Sequence, residues 1–194
     1  MLSDLFVEHM IGEEVGDFDV TAYQCGKFFN LKKEDLLGKW SVFFFYPGDF
    51  TFVCPTELED LAEHYDDFKQ LGCEVYAIST DSEFVHKAWQ DHSPAIAKVC
   101  FPMLSDRTHR LSEMFGVLKL EEGQALRGTF VINPNGEISC YEIHAMGIGR
   151  DAESLLRKVE ASQFVFEHGD MVCPAKWKPG KETLRPGIDL VGKI

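Results

Sequence analysis

The chain has 194 residues, of which 45% are hydrophobic, 12% aromatic and 26% charged. That is the composition of one globular domain with a sizeable core, and it argues against disorder, a fibre or a disulfide-dense miniprotein. The 19 Lys and Arg stand against 32 Asp and Glu, for a net charge of -13, the wrong sign for tracking a phosphate backbone or an anionic bilayer, so neither nucleic acid nor membrane is an expected partner.

The first nine residues carry two acids and no Lys or Arg, and no apolar core with a cleavage site follows, so the expected location is the cytoplasm. The longest unbroken apolar run, Val42 to Pro47, falls far short of the roughly 20 residues of a membrane helix. Within it, Val42-Phe43-Phe44-Phe45-Tyr46 reads as a strand buried on both faces. After the loop Pro47 to Val53, Leu58, Leu61, Ala62, Tyr65, Phe68 and Leu71 recur at helical spacing until Gly72, which predicts one amphipathic helix. Cys73 to Thr80 reads as a second buried strand, Ser82 to Asp91 as a helix, Pro102 to Leu104 as a short extended piece, and Thr108 to Phe115 as a helix stopped by Gly116.

Gly128 to Ile132 and Glu137 to Ile143 flank Asn133-Pro134-Asn135-Gly136, two strands joined by a tight turn whose strongest signal is the Asn-Gly pair. Asp151 offers an N-cap to a helix with the apolar face Leu155, Leu156, Val159 and Phe164. Gly169 then opens a tail holding Pro174, Pro179 and Pro186 and little periodicity. The expected organisation is therefore a domain over residues 1–168 and a tail over 169–194. The fold class is α/β, with a mixed central sheet and helices on both faces.

Six cysteines, none in a Cys-x-x-Cys pair, are too few for a disulfide framework and argue against zinc ribbons and dithiol enzymes. Cys25, in a Gly-flanked turn, and Cys73, Cys100 and Cys140, in apolar or strand context, read as inert small hydrophobes. Cys54 differs. It follows a loop and precedes Pro55, a residue favoured at the first helical position, so its sulfur is expected at a helix N-terminus. Unpaired backbone N–H groups and the helix dipole stabilise a thiolate there, making Cys54 a candidate nucleophile. Gly147-Ile148-Gly149-Arg150-Asp151-Ala152 fits a loose dinucleotide pattern, but no further strand with a ribose-binding acid follows. The seven histidines form no metal-ligand spacing. Neither a metal nor a cofactor is expected.

Pro47-Gly48-Asp49-Phe50-Thr51-Phe52-Val53-Cys54, followed by Pro55-Thr56-Glu57, resembles the active-site signature of the peroxiredoxins. Val172-Cys173-Pro174-Ala175-Lys176-Trp177 resembles the resolving-cysteine segment of typical two-cysteine members, and the ending Asp189 to Ile194 that of the bacterial alkyl hydroperoxide reductase C subgroup. The resemblance implies a thioredoxin-like fold and a peroxidatic Cys54 whose thiolate attacks hydrogen peroxide or an organic hydroperoxide and becomes a sulfenic acid, which Cys173 of another subunit resolves as a disulfide. It implies that Thr51 contacts the thiolate and orients the peroxide, that Pro47 shields the pocket, that Arg127 falls where the family places its second active-site arginine, and that Glu57 supports the arginine geometry. Recycling would fall to a flavoprotein disulfide reductase or a thioredoxin-like reductant, and a homodimer assembling into a decamer is expected. The Gly-Gly-Leu-Gly insertion and C-terminal Tyr-Phe helix of oxidation-sensitive members have no counterpart at Ala95 to Val99 or Lys193-Ile194, which implies resistance to overoxidation. A general thiol-disulfide oxidoreductase, disfavoured by the missing Cys-x-x-Cys, and a non-enzymatic sensor or holdase are the alternatives.

Overall fold

The computed structural model describes residues 9–193. In chain order the strands are β1 (Asp19–Gln24), β2 (Lys27–Lys32), β3 (Trp40–Phe45), β4 (Cys73–Ser79), β5 (Met103–Ser105), β6 (Leu118–Lys119), β7 (Gln124–Ala125), β8 (Arg127–Ile132) and β9 (Ile138–His144). The helices are α1 (Cys54–Glu63), α2 (Tyr65–Gln70), α3 (Glu83–His92), α4 (Arg110–Met114) and α5 (Ala152–Glu167). Seven strands make one mixed sheet in the order β2-β1-β5-β4-β3-β8-β9, and β6 and β7 form a separate small hairpin.

β3 is the organising strand. It is buried along its whole length, runs parallel to β4 (Trp40 opposite Cys73) and antiparallel to β8 (Phe43 opposite Phe130). Because successive side chains of a strand point to opposite faces, its residues divide between two cores. Val42 and Phe44 join Cys54, Leu58, Phe68, Leu155 and Val159 on the α1 and α5 side. Phe43 and Phe45 join Leu111, Phe115 and Phe130 on the α4 side. An all-apolar aromatic strand is thus what lets helices cover both faces.

The helix expected from Leu58 to Leu71 is broken. His64 leaves helical geometry (φ -102°, ψ 4°), and α2 restarts at Tyr65 while the apolar face carries on through Phe68 into the core. The Asn-Gly turn is also longer than expected. Gly136 N–H bonds Asn133 O at 2.9 Å, Asn133 N–H bonds Glu137 O at 2.9 Å, and only Gly136 has positive φ (84°), the pattern of a three-residue loop with a glycine bulge. The β1–β2 and β6–β7 hairpins, by contrast, carry little alternating pattern in the sequence. Asp151 does cap α5, accepting from Ser154 N–H at 2.8 Å.

The tail packs against the second half of α5. Val172 and Leu184 pair through both backbone bonds, at 2.8 and 3.1 Å, and Trp177 is buried against Phe164 with ring centroids 5.0 Å apart. No helix among the described residues is long and apolar enough to cross a membrane.

Candidate active site

The loop between β3 and α1 is pinned from beneath. Tyr46 OH donates to Asp49 Oδ1 at 2.7 Å, Asp49 N–H donates to Asp81 Oδ2 at 2.8 Å, and the other Asp49 oxygen lies 2.8 Å from His86 Nδ1. His86 Nε2 is 3.2 Å from Leu104 O, and neither the His86 nor the Asp49 side chain is exposed. Burial pushes the Asp49 carboxyl above its usual range, against the opposing pull of His86. Above this anchor Phe50 adopts a left-handed conformation (φ 55°), and Thr51 Oγ1 donates to Gly48 O at 2.8 Å.

α1 begins at Cys54 itself, one residue before the Pro55 start that the sequence suggests, and Thr56 and Glu57 N–H both return to Val53 O. Cys54 is fully buried in the core cluster that also holds Tyr46, Leu58 and Trp89, so its sulfur does not stand at an open pocket mouth. It is nonetheless polar in its surroundings, because Arg127 Nη1 lies 3.4 Å from Sγ. That arginine reaches it from the start of β8, where Gly128 keeps the strand close to its neighbours: a Cβ at that position would come within 2.6 Å of Val117 Cγ1.

Glu57, one turn along α1, joins Arg127 to a second buried arginine, Arg150. Glu57 Oε2 accepts from Arg127 Nη1 at 2.6 Å and from Arg150 Nη2 at 3.3 Å, and Oε1 accepts from Arg150 Nε at 2.9 Å and Arg150 N–H at 3.0 Å. Arg150 Nη1 also donates to Gly128 O and Thr129 Oγ1, and Arg127 Nε donates to Met146 O at 2.7 Å. All three charged side chains are nearly inaccessible, 4% exposed at most. Burial lowers the Arg150 guanidinium, with Glu57 acting against that trend. Two guanidiniums against one carboxylate leave one positive charge unbalanced beside the sulfur. Arg150 precedes the Asp151 cap of α5, and the α5 start is tied to α1 by Ala152 N–H to Asp60 Oδ2 at 2.6 Å. The only sequence signal for it was a Gly-x-Gly-Arg stretch ahead of a helix cap, which says nothing of burial.

Pro47 is buried at the loop entrance, and Thr51, exposed on the loop, spends its hydroxyl proton on Gly48 O rather than on the sulfur. The described geometry therefore brings Cys54, Arg127 and Glu57 together, with Thr51 and Pro47 on the adjoining loop. Cys173 lies elsewhere. Its Sγ is 4.0 Å from Ala161 O, half-buried, and burial pushes its thiol up with Arg157 opposing. Ala161 is nine residues beyond the α5 start, about 14 Å along the helix from the Arg150 end. Cys73 and Cys140 are buried and half-buried, and burial pushes both thiols up, as suits packing residues. Cys25 and Cys100 are exposed, so neither packs as the small hydrophobe expected. Among the described residues no three His, Cys, Asp or Glu side chains converge as a metal site.

Residues 11–140 match the AhpC/TSA family, and residues 161–189 match the C-terminal domain of 1-Cys peroxiredoxin. The chain is 54% identical to alkyl hydroperoxide reductase C of Bacillus subtilis over 185 residues, 95% of this chain and 99% of that protein. It is 51% identical to alkyl hydroperoxide reductase C of Escherichia coli (strain K12) over the same shares of both chains. Among solved structures, Enterococcus faecalis AhpC superposes with a TM-score of 0.84 at 54% identity, covering 86% of this chain and all of that one. Plasmodium vivax 2-Cys peroxiredoxin in its reduced form gives 0.89 at 30% identity, covering 94% and 96%.

Proposed function

Because this chain belongs to the AhpC/TSA family of peroxiredoxins, we propose that it is a thiol peroxidase reducing hydrogen peroxide and organic hydroperoxides, with Cys54 as the peroxidatic residue and Cys173 as the resolving one. The observation that carries this reading is the Arg127 guanidinium 3.4 Å from the Cys54 sulfur. A thiolate there neutralises the charge that Glu57 leaves unbalanced. As the thiolate attacks the distal peroxide oxygen and the O–O bond breaks, negative charge develops on the departing oxygen. Arg127 is a fixed donor for it, and prepositioned donors act most strongly where water is excluded. Thr51 and Pro47 border the approach, as a donor able to turn toward the substrate and as a wall against water.

The product is a Cys54 sulfenic acid and an alcohol or water. Cys173 then attacks that sulfur, forming the disulfide and releasing water. Two observations support an intersubunit partner: Cys173 sits on the far half of α5 in its own chain, and a disulfide needs Cα atoms within about 7 Å. The fully buried Cys54 must be released by unwinding of the first α1 turn, so resolution includes a conformational step. We assign residues 1–168 to the peroxidase domain and 169–194 to the tail that delivers Cys173.

A homodimer assembling into a decamer accords with two surfaces. β9 is the outermost strand on its side of the sheet, and Phe28, Phe50, Phe52 and Phe84 are exposed aromatics around the β1–β2 hairpin, the loop before α1 and α3. Recycling of the disulfide by a flavoprotein disulfide reductase or a thioredoxin-like protein requires a reducing compartment, which fits the cytoplasm. The test is stopped-flow peroxide consumption. Cys54→Ser should abolish it, and Cys173→Ser should permit one turnover that leaves a trappable sulfenic acid. Undiminished consumption by Cys54→Ser overturns the reading, and sedimentation of monomer alone in both redox states overturns the assembly.

A further inference from the structure

Cys25 occupies the tip of the β1–β2 hairpin, where it and Gly26 have φ of 44° and 83°. A two-residue turn with both central residues left-handed favours Asn, Asp or Gly at its first position, and a cysteine there is held under strain. On its other side β1 pairs antiparallel with β5, Ala22 opposite Leu104 and Tyr23 opposite Met103. Carrying that register outward sets Cys25 opposite Phe101 and Gly26 opposite Cys100, so Cys25 and Cys100 are diagonal neighbours one residue out of register, at a point where the left-handed turn takes Cys25 out of the strand alternation. Gln24 fixes the junction, its Nε2 donating to Cys100 O at 2.7 Å. Directly opposite antiparallel residues have Cα atoms about 4.5–5.5 Å apart and one residue along a strand adds about 3.3 Å, so a diagonal pair lies about 6 Å apart, still inside the range a disulfide bridges. Both cysteines are exposed.

We propose that Cys25 and Cys100 are a second redox couple, forming an intrachain disulfide when a hydroperoxide reaches them, separate from Cys54 and Cys173. The two thiols are close enough to interact: burial first, then contact with Cys100, raises the Cys25 thiol. Because the raised Cys25 thiol is the poorer source of thiolate, the first attack is assigned to Cys100. The Cys100 thiolate takes the distal oxygen, the O–O bond breaks, and the alkoxide or hydroxide leaves as alcohol or water. Cys25 then displaces the hydroxyl of the Cys100 sulfenic acid as water. Two thiols are oxidised, one peroxide is reduced, and a dithiol reductant reverses the change.

The test uses the full chain with Cys54→Ser and Cys173→Ser, which retains four of the six cysteines. Excess hydrogen peroxide should remove two of the four titratable thiols. Non-reducing digestion should join the peptides containing Cys25 and Cys100, and dithiothreitol should restore all four thiols. Adding Cys25→Asn, which suits the left-handed turn, should abolish the cross-linked peptide while leaving the circular dichroism spectrum unchanged. Four persistent thiols, a disulfide between chains, or a sulfinic acid at one cysteine in place of the pair overturns the proposal. Its failure stays distinct from failure of the peroxidase reading, because Cys25→Asn/Cys100→Ser in an otherwise intact chain reports peroxide consumption separately and should show no change.

Discussion

The Arg150 guanidinium lies over the Phe44 ring, its central carbon 3.4 Å from the ring centroid, while the same group grips both oxygens of Glu57. Phe44 belongs to the central strand, so one planar cation links the apolar core to the charged cluster beside Cys54. A lysine keeps the charge but has neither the flat face nor the fork that meets two carboxylate oxygens. Arg150→Lys is therefore expected to fold but to loosen Glu57, and through it Arg127. Peroxide consumption by the variant should show a fall in kcat/KM of about 10-fold or more, a drop of about 1.4 kcal/mol in transition-state stabilisation. Unaltered kcat/KM would show that Arg127 holds its place without Arg150.

Arg127 touches the sulfur directly, so its removal should cost more than loss of the residue that steadies it. Arg127→Gln keeps a donor and much of the volume and removes the charge. Losing one preorganised donor at a site of developing charge costs about 100- to 1,000-fold in rate. Alkylation of Cys54 by iodoacetamide should slow as well, since the thiolate loses its nearest cation. A variant that alkylates at the original rate but reduces peroxide slowly would confine Arg127 to the transition state.

Legibility in the sequence followed locality. The Val42–Tyr46 strand, the Cys54 helix start and the Asp151 cap each rest on a few adjacent residues, and each appears within two residues of its expected place. The break at His64 was invisible because the apolar face of α1 and α2 is continuous across it. Arg150 was missed because its role depends on three partners, Glu57, Gly128 and Phe44, that only the folded sheet brings to it. Cys100 was misread for the same kind of reason: its apolar neighbours in sequence, Val99 and Phe101, are buried while its own side chain turns outward.

The Asp49–His86 pair supports the loop from below and should be a point of stability rather than chemistry. Removing one partner of a buried ion pair costs about 3–5 kcal/mol, and the hydrogen bond that Asp49 keeps from Tyr46 sets the loss here at or below the lower end of that range. His86→Leu strips Asp49 of its largest counterweight to burial. Thermal denaturation should fall by about 2–4 °C for each kcal/mol lost in a chain of this size. His86→Leu with Asp49→Asn, which removes the charge as well, should recover part of the loss. A double variant no better than His86→Leu would mean that packing of the imidazole, not its pairing, supplies the stability.

Glu142 provides the pH signature. It sits on β9, half-buried, with Lys158 Nζ at 2.6 Å and His144 Nε2 at 3.3 Å. Burial alone would raise its carboxyl, but the Lys158 and His144 contacts outweigh that and hold it below the usual range. A carboxyl depressed on folding binds fewer protons in the native state than in the unfolded one, so stability rises with pH through the window between the two values. The contribution is complete above the unfolded range near 4.5 and is lost as pH drops through the depressed value. Glu142→Gln should therefore be less stable than the parent chain at pH 7, by about 1 kcal/mol or less for a partly solvated pair. Urea denaturation should show the two curves converging as the pH is lowered below that range. A gap that persists unchanged into acid would mean that the glutamine disturbs the β9–α5 packing and that the ion pair contributes nothing measurable.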